Sequence, residues 1–217
     1  YGLAADQNVF GGCVNSNCYF MGSYRLSSEF LYLKSTNVKD FNGSNDGTYL
    51  EKISNFDYDT LNKHYQLIKT VTTDSKNLSV QNSLKYPQDI TLTGNAELAR
   101  QSLVNKHIWN PVLQQTTLNN AVQISQVNNY YLTFGNGYTQ PESIEGKMGS
   151  ASAEKRIEFL KYDQAGNLLQ QHKVRDKVNI FIWDYKNLHP VAQVLTTNDT
   201  NIDSVAYTSF EADGKGN

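Results

Sequence analysis

EKRIEFLKYDQAGNLLQQHKVRDKVNIFIWDY, residues 154–185, is the stretch that decides the fold. It reads as three short strands separated by two turns. Arg156 to Tyr162 alternates, with Ile157 and Phe159 on one face and Glu158, Leu160 and Tyr162 on the other, the period of two that a strand requires. Tyr162-Asp163-Gln164-Ala165-Gly166-Asn167-Leu168 follows. Asp163 can open a type I turn by accepting backbone N–H bonds, and Gly166, three residues on, can take the left-handed conformation. Leu168 to Val174 returns, Arg175-Asp176-Lys177 turns again, and Val178 to Tyr185 is the third strand. It ends in Trp183-Asp184, so an aromatic–Asp pair recurs 21 residues after Tyr162-Asp163 (184 − 163). A period of about 20 to 50 residues is the sign of a repeat architecture.

With Asn167 and Leu168 completing it, the Tyr-Asp-x-x-Gly-Asn-Leu turn, followed by strand, turn and a strand ending in aromatic–Asp, resembles the tyrosine–aspartate (YD) repeat of the Rhs family. Trp183-Asp184-Tyr185 and the residues through Ala192 resemble that family's stretch after the repeat, and Val205 to Glu211 resembles what often follows. The likeness is specific over residues 154–217 and diffuse over 24–150. Two features depart from the family pattern: Asp184 stands where Gly is usual, and a single complete YD turn unit is present. The resemblance implies a β-sheet shell that encloses or carries a C-terminal effector, often a toxin. It further implies a large bacterial secreted or cell-surface protein, some of whose kind pass through the type IX secretion route and serve gliding motility.

Composition agrees with many short strands. Asn supplies 24 of the 217 residues and Tyr 14, whereas charged residues are 18%. Asn favours turns, and Tyr, Thr and Val favour pleated, half-buried positions. A net charge of −2 and a pI near 6.1 argue against electrostatic nucleic-acid binding. No run of 18 apolar residues marks a transmembrane segment. Both ends read as cut from a longer polypeptide. Cys13 and Cys18 flank the turn-like Val14-Asn15-Ser16-Asn17 and are candidates for a disulfide across a tight hairpin, with a pair of reduced thiols as the alternative.

Along the chain, residues 1–23 are Gly- and Asn-rich and read as an irregular cap. Residues 24–150 read as a divergent hairpin region, and 151–217 as the YD unit with its following strand. Glu29 to Val38 is a strand with Leu31 and Leu33 inward; Phe41 to Gly47 turns it into Thr48 to Tyr58. His64 to Thr73 and Leu78 to Tyr86 form a hairpin across Asp74-Ser75-Lys76-Asn77. Asn95 to His107 is the expected helix, capped by Asn95 with Glu97 at its positive end. Val112 to Thr117 and Ala121 to Val127 pair across Asn119-Asn120, Tyr130 to Phe134 is another strand, and Gly135-Asn136-Gly137 is a turn. Ile144 to Ala153 reads as a loop or linker. The fold expected is all-β, of antiparallel hairpins, with one short helix near 95–107.

Reactive constellations are sparse. His64, His107, His172 and His189 show no ligand spacing, and no nucleophile elbow, phosphate loop or dinucleotide fingerprint occurs. Asp57-Tyr58-Asp59 puts two carboxylates on one strand face, about 7 Å apart; a solvated strand end is favoured over a hard-cation site. Asp57, Asp59, Glu142 and Glu145 are the carboxylates that a glycoside hydrolase could use. The expectation is therefore a structural wall segment without catalysis or cofactor, with Ile157, Phe159, Ile180 and Ile182 packing between layers. Its partners would be the neighbouring repeats and effector of its own polypeptide, and secretion or surface-motility machinery. The alternatives are an adhesin-like module using loops 41–47 and 135–150, and the hydrolase.

Overall fold

The computed structural model describes residues 3–14, 17–28, 31–41, 43, 47–62, 64–184 and 186–196, with 3–28 described as backbone. Two compact units divide between Lys34 and Ser35. The first unit contains β1 (Leu3–Val14) and β2 (Asn17–Ser28), an antiparallel pair in unbroken register from Leu3↔Ser28 to Val14↔Asn17. This corrects the reading of residues 1–23 as an irregular cap. The ladder is made by backbone N–H and C=O groups, so a Gly- and Asn-rich sequence without alternation can still form it. Cys13 stands directly opposite Cys18 in that register; their side chains, and with them the disulfide, lie outside what is described.

The second unit is one all-antiparallel sheet of eleven strands: β3 (Ser35–Phe41), β4 (Tyr49–Tyr58), β5 (Leu67–Asp74), β6 (Ser79–Lys85), β7 (Gln114–Asn119), β8 (Val122–Thr133), β9 (Thr139–Met148), β10 (Glu154–Tyr162), β11 (Leu168–Lys173), β12 (Val178–Asp184) and β13 (His189–Thr196). Spatial order follows chain order from β3 at one edge to β13 at the other. Every strand therefore pairs with its neighbours in sequence, and the connections fall alternately on two rims. Helix α1 (Gly94–Asn105) interrupts this series within the 86–113 connection. The all-β fold with one short helix is thus the observed class.

Sequence and structure part at several points. Ile144 to Ala153 is no linker, because β9 runs to Met148 and pairs on both sides, Ile144 lying between Asn129 and Ile157. Small residues there serve packing: a Cβ on Gly146 would lie 3.3 Å from Arg156 Nε, so the missing side chain makes room for the guanidinium of the next strand. Direct β9–β10 pairing also removes the expected boundary near residue 150. The strand expected from Glu29 begins at Ser35, and Leu31 and Leu33 are exposed rather than inward. The helix starts after Thr93, not at an Asn95 cap. Its end is instead tied by the Glu97 carboxylate, which accepts the Leu92 backbone N–H at 2.8 Å.

Among the described residues the buried apolar core is small: Tyr86, Ala99, Leu103, Leu113, Val178 and Ile180, with Pro87 beside them. Ala99 and Leu103 bring the helix onto β8 and β9. Ile180 is wholly buried, and Ile157, Phe159 and Ile182 are half-buried on the eleven-stranded sheet. Val38, Phe41, Leu50, Met148 and Leu195 are exposed. Leu103 is 1% exposed, so Leu103→Ala should lower unfolding stability by about 3 kcal/mol in urea titration, the usual size for a buried leucine.

Candidate functional site

Because connections alternate, one rim gathers residues 59–66, 86–113, 134–138, 163–167 and 185–188. The sequence-derived turn residues sit on it. Asp163 N–H donates to Asn167 O at 2.9 Å and Gly166 N–H to Asp163 O at 3.2 Å, with Gly166 at φ +95°. Asp163 Oδ1 accepts the Asn167 N–H at 2.7 Å, and Asp163 Oδ2 accepts Asn167 Nδ2–H at 3.0 Å. The carboxylate thus closes the turn from inside. Tyr162 fixes the approach to it: its ring meets Phe134 edge-on at 4.7 Å, and its hydroxyl donates to Pro141 O at 2.8 Å. Burial, reinforced by Tyr131, pushes that hydroxyl's pKa up. Trp183 Nε1–H donates to Leu168 O at 2.8 Å, bracing the strand that leaves the turn. Asp184 ends β12 and its carbonyl accepts the Leu188 N–H; Tyr185 lies outside the described residues.

Two further connections use the same backbone geometry. Asp74 N–H donates to Leu78 O and Asn77 N–H to Asp74 O; Phe134 N–H donates to Tyr138 O and Gly137 N–H to Phe134 O. The fourth residue of each has positive φ, +58° at Asn77 and +81° at Gly137. Asp74 Oδ1 accepts two backbone N–H groups, from Lys76 and Leu78, at 2.9 Å each. Asp74-Ser75-Lys76-Asn77 is therefore a second Asp-closed corner, with Asn replacing Gly at the left-handed position. The Tyr-Asp-x-x-Gly pattern overlooks it because Asn tolerates positive φ almost as well.

Side chains link the connections along the rim, and all of the following bonds run forward in sequence. Asn62 Nδ2–H donates to Asp89 Oδ1 at 2.7 Å, Gln66 Nε2–H to Trp109 O at 2.9 Å, and Lys106 Nζ–H to Gly137 O at 3.1 Å. Asn136 Nδ2–H then donates to Asp163 O at 2.7 Å, Gln140 Nε2–H to Gly166 O, and Asn167 Nδ2–H to Asn187 O at 2.7 Å. Each connection donates to the one two strands further on. No periodicity rule reveals this relay. Its signal is the Asn or Gln that recurs in the rim segments.

The same rim holds a buried acid–imidazole–acid group, and this corrects the reading of Asp57-Tyr58-Asp59. A register shift follows Asp57, and β4 ends at Tyr58. Asp57 remains exposed and faces Lys69 at 3.4 Å. Asp59 is 4% exposed, not a solvated strand end. Its Oδ1 accepts the Leu61 and Asn62 N–H groups, and its Oδ2 accepts that of His64. Burial alone would raise this carboxyl's pKa, but the Asn62 and His64 N–H donors, the adjacent imidazole and the Leu61 N–H together hold it below the usual range. His64 Nε2 lies 3.2 Å from Asp89 Oδ1 and 3.6 Å from Asp59 Oδ2.

These three side chains are close enough to surround a cation. The imidazole, however, is set against that use. Its Nδ1 accepts the Gln66 N–H, so the ring proton sits on Nε2, the atom that would have to coordinate. With Tyr86 OH donating to Leu67 O and the Tyr86 N–H donating to Asp89 Oδ2, the group ties two rim loops together.

Further carboxylates lie on β9, β10 and α1. Glu142 and Glu145 lie on β9, and Glu145 faces Lys155 and hydrogen-bonds Tyr130. Glu158 accepts Lys155 Nζ–H at 3.0 Å and contacts His172 Nε2 at 3.0 Å, and those two partners hold its pKa down. Glu97 is taken down to about 2 by Arg100, the Leu92 N–H and Gln101. The three shifted carboxyls move downward, opposite to the elevation a general acid in glycoside hydrolysis requires.

Two outcomes follow. Gly166→Val forces a β-branched residue to φ +95° and brings a Cβ to 3.2 Å from Gln140 Nε2; it should cost about 2 kcal/mol in chemical denaturation, while Gly135→Ala, with open space around it, should be near neutral. Asp59 has a lowered folded pKa, so its contribution is present above its unfolded value and is lost as pH falls through the folded one. Thermal melts of Asp59→Asn should therefore show a weaker loss of stability on acidification than wild type, from a lower starting Tm near neutrality. The sequence matches no protein-family model and no curated protein.

Proposed function

We propose that this chain is wall material: a segment of β-sheet shell of the YD-repeat, Rhs-type kind, in a large secreted or cell-surface protein that encloses or carries a C-terminal effector. Its role is mechanical enclosure, without catalysis of its own. The observation that carries this reading is the strict chain-order sheet, β3 to β13, whose rim connections are tied one to the next by forward-donating side chains. An assembly in which each unit leans on the next suits a covering surface, and its stability comes from stacking neighbours. A reactive centre would need convergent groups with matched acidity, whereas the shifted carboxyls here are held ionised by local partners. The closest contacts would be made with neighbouring repeats of the same polypeptide, and beyond them with secretion or surface-motility machinery.

A second reading, an adhesin-like module, draws on Phe41, Tyr49 and Leu50, exposed around a groove of about 250 Å³ at the β3–β4 hairpin. Limited proteolysis of the full-length protein separates the two. A wall segment should resist cleavage together with the sequence on either side of it and shield a downstream segment until the wall is cut. Clean release of residues 35–196 as a stable, independent domain, with the downstream segment digested at the same rate throughout, would overturn the shell.

A further inference from the structure

The rim opposite the relay carries the connections 149–153 and 174–177. There the start of β10 and the end of β11 form an open cleft of about 660 Å³, lined by Glu154, Lys155, Arg156, Ile157, Lys173, Val174 and Arg175. Four cations and one carboxylate therefore line it, in a chain whose net charge is −2. The two β10 cations have partners: Lys155 meets Glu158 at 3.0 Å, and Arg156 meets Glu154 at 3.3 Å on the exposed surface. Lys173 and Arg175 have no carboxylate partner among the described residues. Asp176 is turned back on its own loop, its Oδ1 accepting the Lys177 N–H at 2.7 Å.

Two features shape what the cleft can take. Arg175 sits at φ +67°, where Gly or Asn would be cheaper, so the turn sustains backbone strain and keeps an arginine there. The lining also carries apolar surface: half-buried Ile157 and exposed Val174 line the cleft with the cations. A nucleic acid would seek aromatic platforms, and none lines the cleft. A sulfated glycan has charge but no apolar side chains for that surface.

We infer that this cleft is a docking site for an extended acidic peptide that alternates carboxylate and apolar side chains. The carboxylates engage Lys173 and Arg175 while the apolar residues cover Ile157 and Val174. Pairing on this scale depends strongly on ionic strength, since the cations are exposed.

The test is fluorescence anisotropy of the whole chain with a labelled peptide of alternating Glu and Leu. Unlabelled poly-Glu and a sulfated glycan serve as competitors. Binding should weaken at least tenfold in the double variant Lys173→Gln, Arg175→Gly, in which Gly suits the left-handed turn and leaves circular dichroism unchanged. It should also weaken as ionic strength rises from about 0.01 M to about 0.15 M, where the Debye length falls from about 30 Å to about 8 Å. Removing the same charge elsewhere, by Lys76→Gln with Lys85→Gln, should leave it intact. The docking site is overturned if the wild-type chain does not bind the peptide, if both double variants bind alike, or if poly-Glu or the glycan displaces it as well as unlabelled Glu/Leu peptide does.

Discussion

Backbone hydrogen bonding between strands that are consecutive in the chain is what everything else here rests on. In the second unit eleven strands form ten ladders, each between sequence neighbours, while only a handful of the described side chains are buried. Apolar burial is concentrated where α1 meets β8 and β9 and around Val178 and Ile180. Elsewhere, half-buried faces and cross-strand polar pairs complete the sheet, such as Ser54 with Thr72 and Thr117 with Asn82. A strand with one exposed face contributes little on its own, so each ladder depends on the next being present.

That dependence explains why the rim is so heavily bonded. A turn that merely reverses the chain needs Asp163 and Gly166. A turn that also fixes its neighbour needs donors facing along the row, and Asn136, Asn167, Asn62 and Lys106 supply them. The Asp59–His64–Asp89 group does the same at the longest connections, where a short turn cannot hold the chain. Its buried charges are tolerated because nearly every lone pair has a donor, the condition under which a polar cluster orders a fold rather than weakening it.

Much of this was legible in the residues themselves. Alternation in 156–162 and the Asp-x-x-Gly spacing at 163–166 are local signals, and local signals suffice for hairpins between adjacent strands. The positions that misled are those where the cause is non-local. Gly146 looked like linker material, yet it is small because Arg156 lies over it. Asp59 looked like a wet strand end, yet it is buried in a loop whose His64 reaches Asp89 on a distant connection. Leu31 and Leu33 alternate like a core strand and are exposed, because alternation says which residues share a face and not whether anything covers it. The rim relay has no periodic signature at all, since its donors sit at irregular spacings set by connection length.

The strict chain order of the strands has a mechanical corollary. Tension applied to a polypeptide whose strands are laid down one after another acts first on an edge strand and opens its ladder bond by bond, as a zipper opens, instead of shearing a whole row at once. Such a fabric yields in small, reversible steps and re-forms from the strand still in place. It can part locally without the entire sheet being lost.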